Sequence, residues 1–365
     1  MRALFFSGIA ILCAALSACA GGGRSSAPSA PPALTLSPVS FDALPGWKEQ
    51  PRRARAAAVA SLRRSCTVYG ARPSGEDSPA ELQRAAVDMQ GACAALATPN
   101  VPVTFESNFC PYRLSAQVPA FFTGYYAPEL DISHERTDEF SVPIYGKPTA
   151  PWRGNPPTRK DIEEWGALAG NAPVIAWARD RVALYFLHVQ GSGTAVYPDG
   201  VKKKLVFAGK TGLPYTSIGS ILIARGDVSK ENMNGATLKK WLYDHKKEGE
   251  ALMWENPSYV FFSIADESDG VVGASGAVLT PEHSLAVDSR FIPYGLPLWI
   301  DTTRSKDGKS RAPFRTLAVS QDGGSAIKGP LRADIFFGAG KNAENFSYRQ
   351  QFTGDVYALL PCDKI

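Results

Sequence analysis

Apolar positions along the chain follow a helical period near the N-terminus. Residues 52–64 and 80–97 carry apolar side chains at every third or fourth position and are rich in alanine, which predicts two amphipathic helices. Two more helices are predicted later, one after Thr158 and one after Ser229, where Ser229 would cap the first turn. The segments between these predicted helices have a different pattern of apolar residues.

Short apolar runs typical of strands dominate from residue 118 onward. They cover residues 120–126, 141–146, 174–178, 181–190, 204–209, 258–264, 285–288, 297–301, 314–322 and 333–338. Because these runs do not alternate regularly with helices, the pattern favours a β-barrel or sandwich over a doubly wound sheet. We therefore expect a mainly β protein with helices.

The first residues have the pattern of a signal peptide for secretion. Arg2 precedes an apolar run over residues 4–16, which is too short to span a bilayer and suits a signal peptide. A leucine, two small residues and Cys19 end this run and resemble the bacterial lipobox, whose cysteine is lipidated. We expect a signal peptide over 1–18, lipidation of Cys19 and a flexible tether over 19–45. By analogy with bacterial lipoproteins, Ala20 rather than Asp after the cysteine favours an outer-membrane lipoprotein facing the periplasm. The alternative is an ordinary signal peptide with a chance cysteine.

The charge and the remaining cysteines narrow the class of protein further. Lys and Arg number 39 against 35 Asp and Glu, a formal net charge of +4 that is too small for nucleic-acid binding by bulk charge. Four cysteines remain in the exported chain, and they admit three disulfide connectivities. Cys66 and Cys93 lie in neighbouring helical patterns, which favours that pair and leaves Cys110 with Cys362.

Several common chemistries lack their sequence motifs. The four histidines are scattered without metal-ligand spacing, and the sequence contains neither C-x-x-C nor G-x-S-x-G. A G-x-G-x-x-A pattern begins at Gly338, but too few residues follow it to build a dinucleotide-binding unit. We therefore expect no metal and no organic cofactor.

Three aspartates stand at the ends of apolar runs in the last third of the chain. Asp288 and Asp322 each end a run, and Asp334 opens one. An aspartate beside glycine is often a turn former, but three in one region can also converge on an acidic site. In an extended run Asp334 shares a face with Phe336, and apolar neighbours push an aspartate towards the neutral form that a general acid needs.

Several long motifs around these aspartates resemble one known family. They are Phe122-Thr123-Gly124-Tyr125-Tyr126, Val189-Gln190-Gly191-Ser192-Gly193, Ala208-Gly209-Lys210, Asn256-Pro257-Ser258-Tyr259, Leu285-Ala286-Val287-Asp288, Ala326-Ile327-Lys328-Gly329 and Arg332-x-Asp334-x-Phe336. In this order, over about residues 118–345, the chain is similar to the membrane-bound lytic murein transglycosylase A family. Ser325 departs from the family by replacing a glycine, so the turn after Asp322 would differ if that glycine has a positive φ.

The resemblance implies an architecture of two parts. A double-psi β-barrel with N-terminal helices would cover 46–132 and 264–365. A smaller, barrel-like β domain would be inserted over 133–263, and a groove would separate the two. The expected state is a monomer that binds peptidoglycan glycan strands, with a lipid anchor in the membrane and with cell-wall synthases and hydrolases as candidate partners.

The resemblance also implies a reaction. A lytic transglycosylase cleaves the β-1,4 bond between N-acetylmuramic acid and N-acetylglucosamine and leaves a 1,6-anhydro sugar. We expect Asp334 to act as the acid and then the base, with Asp322 supporting it. Asp288 stands evenly between a site residue and a hydrogen-bond acceptor that stabilises the barrel. The expected substrate contacts are Thr123, Gly124, Tyr125, Tyr126, Gln190, Gly191, Ser192, Gly193 and Lys328.

Two other functions remain open at this level. Asp334 and Asp322 could form the carboxylate pair of an inverting murein hydrolase, which acts on a water molecule between them. The chain could also be a cell-wall-binding lipoprotein without catalytic activity.

Overall fold

The computed structural model describes residues 33–68, 75–96, 104–266, 270–305, 310–324 and 326–362. Within them lie fourteen strands, nine α-helices and one short 3₁₀ helix (Phe41–Ala43). The strands are β1 (Thr35–Pro38), β2 (Phe109–Ser115), β3 (Ala120–Ala127), β4 (Glu129–Ser133), β5 (Val142–Tyr145), β6 (Val174–Ala178), β7 (Gly193–Val196), β8 (Lys202–Lys210), β9 (Val260–Asp266), β10 (Ser284–Val287), β11 (Pro297–Arg304), β12 (Ala312–Asp322), β13 (Arg332–Ala339) and β14 (Gln351–Pro361). The helices are α1 (Arg52–Cys66), α2 (Ala80–Leu96), α3 (Phe105–Asn108), α4 (Arg159–Glu163), α5 (Arg181–Gln190), α6 (Ile218–Arg225), α7 (Gly235–Asp244), α8 (Lys246–Trp254) and α9 (Gly340–Arg349).

The larger sheet closes into a barrel. Its strand order is β1-β2-β14-β11-β12-β10-β13-β3, and an additional antiparallel pairing joins β14 to β3. The ring therefore contains six strands, while β2 and β1 extend it at one side. The pairs β3–β13 and β10–β12 are parallel, and the others in the ring are antiparallel. The predicted barrel is therefore present and is built from an early strand and the last third of the chain, but the protein as described is mixed α/β rather than mainly β.

The barrel core is apolar and is continuous with the N-terminal helices. Trp47 and Trp299 pack edge to face with ring centroids 5.1 Å apart, and both side chains are almost completely buried. Leu62 of α1 and Met89 of α2 belong to the same cluster of buried residues. Burial of these side chains, rather than helix propensity, holds the two helices on the barrel.

A second sheet lies between β3 and β10 in the sequence. Its order is β5-β6-β4-β7-β8-β9, and a separate apolar cluster fills its core. The sheet runs from Glu129 to Asp266, which is slightly wider than the predicted insertion over 133–263. The described residues of both sheets belong to one compact unit.

One predicted strand is wrong. Residues 181–190 form helix α5, not a strand. An apolar run without clear periodicity fits either a buried strand or a buried helix, and here the ends decide. The Asp180 side chain accepts a hydrogen bond from the N–H of Ala183, and Gly191 ends the helix at φ 82°, donating its N–H to the Leu187 carbonyl.

Two other boundaries differ from the predictions. The helix predicted after Ser229 begins at Gly235, because Asn234 provides the cap by accepting a hydrogen bond from the N–H of Thr237. The segment predicted as a tether ends earlier than residue 45, because β1 pairs with β2, and Leu34 and Leu44 are buried in the barrel core. The signal peptide, Cys19 and the start of the tether lie outside the described residues.

Both favoured disulfides are present. Cys66 is joined to Cys93, linking α1 to α2, and Cys110 is joined to Cys362, linking β2 to the end of β14. The favoured connectivity among the three is therefore confirmed. In the part of the chain that the structure describes, no helix is long and apolar enough to cross a membrane.

Candidate active site

Two of the three aspartates lie on the strands on either side of β10 in the barrel wall. In the strand register Ala286 of β10 pairs with Asp322 of β12 on one side and with Asp334 of β13 on the other. Asp334 pairs in turn with Thr123 of β3. A single strand therefore separates the two carboxylate-bearing residues, and neighbouring strands are about 4.8 Å apart. The closure of the barrel thus brings β3, from the front of the chain, next to both aspartates.

Asp334 is held from one side and remains accessible. The hydroxyl of Thr123 donates a hydrogen bond to its Oδ1 atom, and the Nη1 atom of Arg332 lies 2.7 Å from the same oxygen. The side chain is 15% exposed. Both contacts fall on Oδ1, so they hold the carboxylate from one side.

Asp322 is fixed by three donors. Its Oδ1 atom accepts hydrogen bonds from the N–H groups of Ala274 and Gly323, both at 2.8 Å, and its Oδ2 atom accepts from the Tyr125 hydroxyl at 2.9 Å. Burial raises the pKa of Asp322, and the charge of Asp334 raises it further, although the three donors act to lower it. The two carboxylates therefore interact electrostatically, although their surroundings differ.

Tyr125 contacts both strands that carry the aspartates, because its hydroxyl binds Asp322 of β12 and its ring packs against β13. Its ring packs against Phe336 with centroids 5.2 Å apart, and Phe336 lies two residues beyond Asp334 on the same face of β13. Ile335 and Phe337 point instead into the main barrel core, as the strand alternation predicts. Burial raises the pKa of Tyr125 well above its usual value, so its hydroxyl stays protonated and donates to Asp322.

Comparisons with known proteins identify relatives of this chain. The family model "MltA specific insert domain" matches residues 121–263, and the model "3D domain" matches residues 283–360. A crystal structure of a membrane-bound lytic murein transglycosylase from Agrobacterium tumefaciens is 32% identical, with a TM-score of 0.75 over 90% of this chain and 98% of that chain.

The chain belongs to the MltA family.

Two more relatives place the chain within the family. The curated membrane-bound lytic murein transglycosylase A of Escherichia coli strain K12 is 36% identical over 242 residues, which span 65% of this chain and 65% of that protein. A crystal structure of Escherichia coli MltA with bound chitohexaose is 28% identical, with a TM-score of 0.67 over 92% of this chain and 95% of that chain.

Two of the MltA-like residues expected at the site face away from it. Gly124 and Tyr126 alternate with Thr123 and Tyr125 along β3, so they point to the opposite face of the strand. A Cβ atom on Gly124 would lie 2.6 Å from the Phe337 ring, so packing in this position requires a glycine. Tyr126 is 3% exposed and is not adjacent to Asp334.

Tyr126 instead belongs to a polar cluster at the other side of β3. Its hydroxyl lies 2.8 Å from Glu344 Oε1 in α9 and 3.0 Å from the Tyr348 hydroxyl. The same Glu344 oxygen accepts a hydrogen bond from Lys239 of α7 at 2.7 Å. Burial opposes ionisation, but Lys239 and Tyr126 outweigh it and lower the pKa of Glu344. The cluster therefore ties α7, which follows the second sheet's strand β8, to the barrel.

Replacing Glu344 with glutamine is expected to lower the free energy of unfolding by about 1–3 kcal/mol at neutral pH, because charged hydrogen bonds are lost. Since the pKa of Glu344 is lowered in the folded state, this stabilisation exists above the unfolded pKa and disappears as the pH falls through the folded pKa. Denaturant unfolding of both proteins from pH 7 down to pH 3 measures this. A difference that stays constant over the range would contradict the assignment.

Asp288, just after the end of β10, is held by partners different from those of the other two aspartates. Its carboxylate accepts hydrogen bonds from the Arg290 guanidinium at 2.8 and 3.1 Å and from the N–H of Gly329 at 3.0 Å. Burial opposes the charge, yet these donors lower the pKa of Asp288. Gly329 lies between β12 and β13, so Asp288 fixes the loop that connects the two strands bearing Asp322 and Asp334.

The remaining predicted contacts fall in two places. Gln190 ends α5, and its Oε1 atom accepts a hydrogen bond from the N–H of Tyr126 at 3.2 Å, so it reaches the end of β3. Gly193 is forced by close packing, because a Cβ atom there would lie 2.5 Å from the Pro128 carbonyl oxygen. Lys328 is exposed on the loop between Asp322 and Asp334. Ser325, where the chain departs from the family motif, lies outside the described residues.

Arg332 is the site residue that the sequence motifs contained without revealing its role. It stands two positions before Asp334, so strand alternation alone places both side chains on one face. That spacing was the available signal. Within the described residues, no group of three or more His, Cys, Asp or Glu side chains is arranged to hold a metal ion.

Proposed function

We propose that this protein is a peptidoglycan lytic transglycosylase that cleaves the β-1,4 bond between N-acetylmuramic acid and N-acetylglucosamine. The curated relatives carry the name lytic murein transglycosylase A, and a family structure binds a chain of amino sugars. The observation that carries the proposal is the accessible Asp334, held on one oxygen by Thr123 and Arg332 beside a second fixed carboxylate.

The reaction needs a single acid. Protonated Asp334 gives its proton to the glycosidic oxygen, the bond from that oxygen to C1 breaks with its electron pair on the leaving group, and an oxocarbenium-like state forms. The 6-hydroxyl of the same muramic acid then attacks C1, and its proton passes to the Asp334 carboxylate. The acid is restored, the product is a 1,6-anhydro sugar, and no water is consumed. Arg332 stabilises the carboxylate between the two proton transfers.

Asp322 acts in this account as a fixed negative charge that faces the oxocarbenium-like state. Three hydrogen bonds occupy its oxygens, two from backbone N–H groups and one from Tyr125. An inverting hydrolase needs a second carboxylate that is free to take a proton from water. The engagement of Asp322 therefore favours the lyase over the hydrolase.

Substrate contacts are proposed on the side of β3 that faces Asp334. Tyr125 offers an apolar ring beside the site, and Thr123 lies next to the acid. Gln190, Gly191 and Ser192, at the end of α5, would contact the glycan from the second sheet. Lys328 would face the acidic groups of the substrate, and we assign Asp288 to holding the loop on which Lys328 lies.

The finer architecture and the location are part of the same proposal. The parallel pairs β3–β13 and β10–β12 suit a double-psi barrel, with a substrate groove between the barrel and the second sheet. Curated relatives are named membrane-bound, and we propose that Cys19 anchors the chain in the outer membrane, facing the periplasm. Cell-wall synthases and hydrolases remain proposed partners.

Incubation of the full chain with purified murein sacculi tests the function. We expect the protein to sediment with the sacculi and to release soluble muropeptides. A protein that sediments with the sacculi and releases nothing would be a cell-wall-binding protein, and the proposal would be wrong.

Replacing Tyr125 with phenylalanine is expected to move the acid limb of the pH–rate profile to higher pH. The change removes a hydroxyl that lowers the pKa of Asp322 and keeps the ring on Phe336. Asp322 then becomes neutral at a higher pH, and the rate at acid pH should fall roughly tenfold, as the loss of one charged hydrogen bond implies. Release of muropeptides measured from pH 4 to pH 8 checks this. An unchanged acid limb would remove Asp322 from the mechanism.

A further inference from the structure

A cavity of about 510 Å³ lies on the second sheet, where β8 ends and β9 begins. Its walls include two lysines, two aromatic side chains and a threonine, namely Lys147, Thr149, Trp152, Lys210 and Phe261. None of these residues belongs to the aspartate site. The cavity is large enough for a sugar unit with a substituent, since ligand pockets in proteins start at about 300 Å³.

The sequence builds a firm floor and one fixed wall for this cavity. Phe261 is 1% exposed and belongs to a small apolar cluster, and Trp152 packs near it with ring centroids 6.3 Å apart. The segment that carries Lys147 and Trp152 is tied down at Thr149, whose N–H and hydroxyl both donate to the Asn171 carbonyl, at 2.8 and 3.0 Å. Trp152, which is only partly buried, offers its ring to the apolar face of a sugar, and the buried Phe261 supports it.

A bulge presents the second lysine. The register between β8 and β9 shifts between Phe207 and Gly209, and Gly209 adopts φ 152°. A bulge bends its strand and re-aims the side chains that follow. Lys210 is the last residue of β8 and pairs with Val260 of β9. After the bulge, it lines the cavity.

The two lysines are unpaired in the part of the chain that the structure describes. Lys202 and Lys203, on the same strand as Lys210, lie 2.7 and 2.5 Å from the carboxylates of Glu129 and Asp266. By contrast, neither Lys147 nor Lys210 has a described carboxylate within ion-pair distance. Two uncompensated cations beside an aromatic floor favour a ligand that is both sugar-like and anionic.

We propose that this cavity is a second binding site for the glycan, specific for its carboxylate groups. The ring of Trp152 would contact a sugar ring, and Lys147 and Lys210 would bind carboxylates. In peptidoglycan these come from the lactyl group of muramic acid or from the stem peptide. The inference rests on the proposed substrate, but it concerns binding and does not depend on the cleavage chemistry.

Calorimetric titration of the full chain carrying Asp334→Asn, which prevents turnover, tests the proposal. Three ligands are compared: neutral N-acetylglucosamine oligomers, murein glycan freed of its peptides, and murein glycan bearing stem peptides. With Lys147→Gln and Lys210→Gln added, affinity for an acidic glycan should fall roughly three- to tenfold, as two partly exposed ion pairs imply, and affinity for the neutral oligomer should stay within about twofold.

The matched control replaces Lys246 and Lys247, two exposed lysines of α8, with glutamine. A loss for both acidic glycans identifies the lactyl carboxylate, and a loss confined to the peptide-bearing glycan identifies the stem peptide. Unchanged acidic affinity in the Lys147/Lys210 variant, an equal loss for the neutral oligomer, or an equal loss in the control would overturn the proposal. A failure of the lyase assignment would appear instead in the cleavage products and would leave these affinities as they are.

Discussion

Replacing Asp334 with asparagine is expected to reduce the release of muropeptides from sacculi by at least about a hundredfold, the usual contribution of a positioned acid or base. The amide keeps the size of the carboxylate, and its oxygen can still accept hydrogen bonds from Thr123 and Arg332. It cannot give a proton to the glycosidic oxygen or take one from the 6-hydroxyl. Binding to sacculi should therefore persist while cleavage is lost.

Asp355→Asn is the matched control for that experiment. Asp355 lies on β14 and forms an exposed ion pair with Arg113, away from the described site. This variant should cleave like the unmodified protein. Wild-type cleavage by Asp334→Asn, or an equal loss in the control, would contradict the role of Asp334.

Replacing Cys110 and Cys362 with serine is expected to lower the free energy of unfolding by about 2–5 kcal/mol, the usual cost of losing a native disulfide. The bond closes a loop of 252 residues in the unfolded chain. In the folded protein it joins neighbouring strands, because Leu360 of β14 pairs with Cys110 of β2. Denaturant unfolding under non-reducing conditions measures the loss.

The Cys66–Cys93 bond is the internal comparison, because its residues are only 27 apart. If the disulfides act mainly by restricting the unfolded chain, its removal should cost less than removal of the Cys110–Cys362 bond. A larger loss for the shorter loop would contradict that explanation and would place the stabilisation in the contacts between α1 and α2.

Local patterns were enough to predict the residues around Asp334. Strand alternation put Asp334 and Phe336 on one face, and the structure confirms it through the contact between Phe336 and Tyr125. The same rule applied to β3 would have separated Thr123 and Tyr125 from Gly124 and Tyr126. Those four residues were predicted together because they form one motif, yet one motif in a strand serves two faces.

Other features depend on contacts that no local pattern contains. Residues 181–190 are apolar throughout, so only the caps at Asp180 and Gly191 distinguish the observed helix from a buried strand. The pairing of β3 with β13 joins residues 211 positions apart, as in the hydrogen bond from Thr123 to Asp334. Strand pairing over such a distance follows from barrel closure, which the family resemblance implied and the residues alone did not.

The cavity lined by Lys147 and Lys210 also depends on contacts that no local pattern contains. Lys147 and Lys210 are far apart in the sequence and look like ordinary surface lysines. They line one cavity because β5 contacts β9, the neighbour of β8, and because the bulge before Gly209 redirects the end of β8.

Mass spectrometry of murein digested in ¹⁸O-labelled water tests the central claim most directly. A lyase in which the muramic acid's own 6-hydroxyl attacks C1 must yield anhydro-muropeptides that are lighter by one water molecule than hydrolysis products and contain no ¹⁸O. We expect these products from the full chain and none of them from Asp334→Asn. Reducing-end muropeptides carrying ¹⁸O would show that water is the nucleophile, and the single-acid account would be wrong.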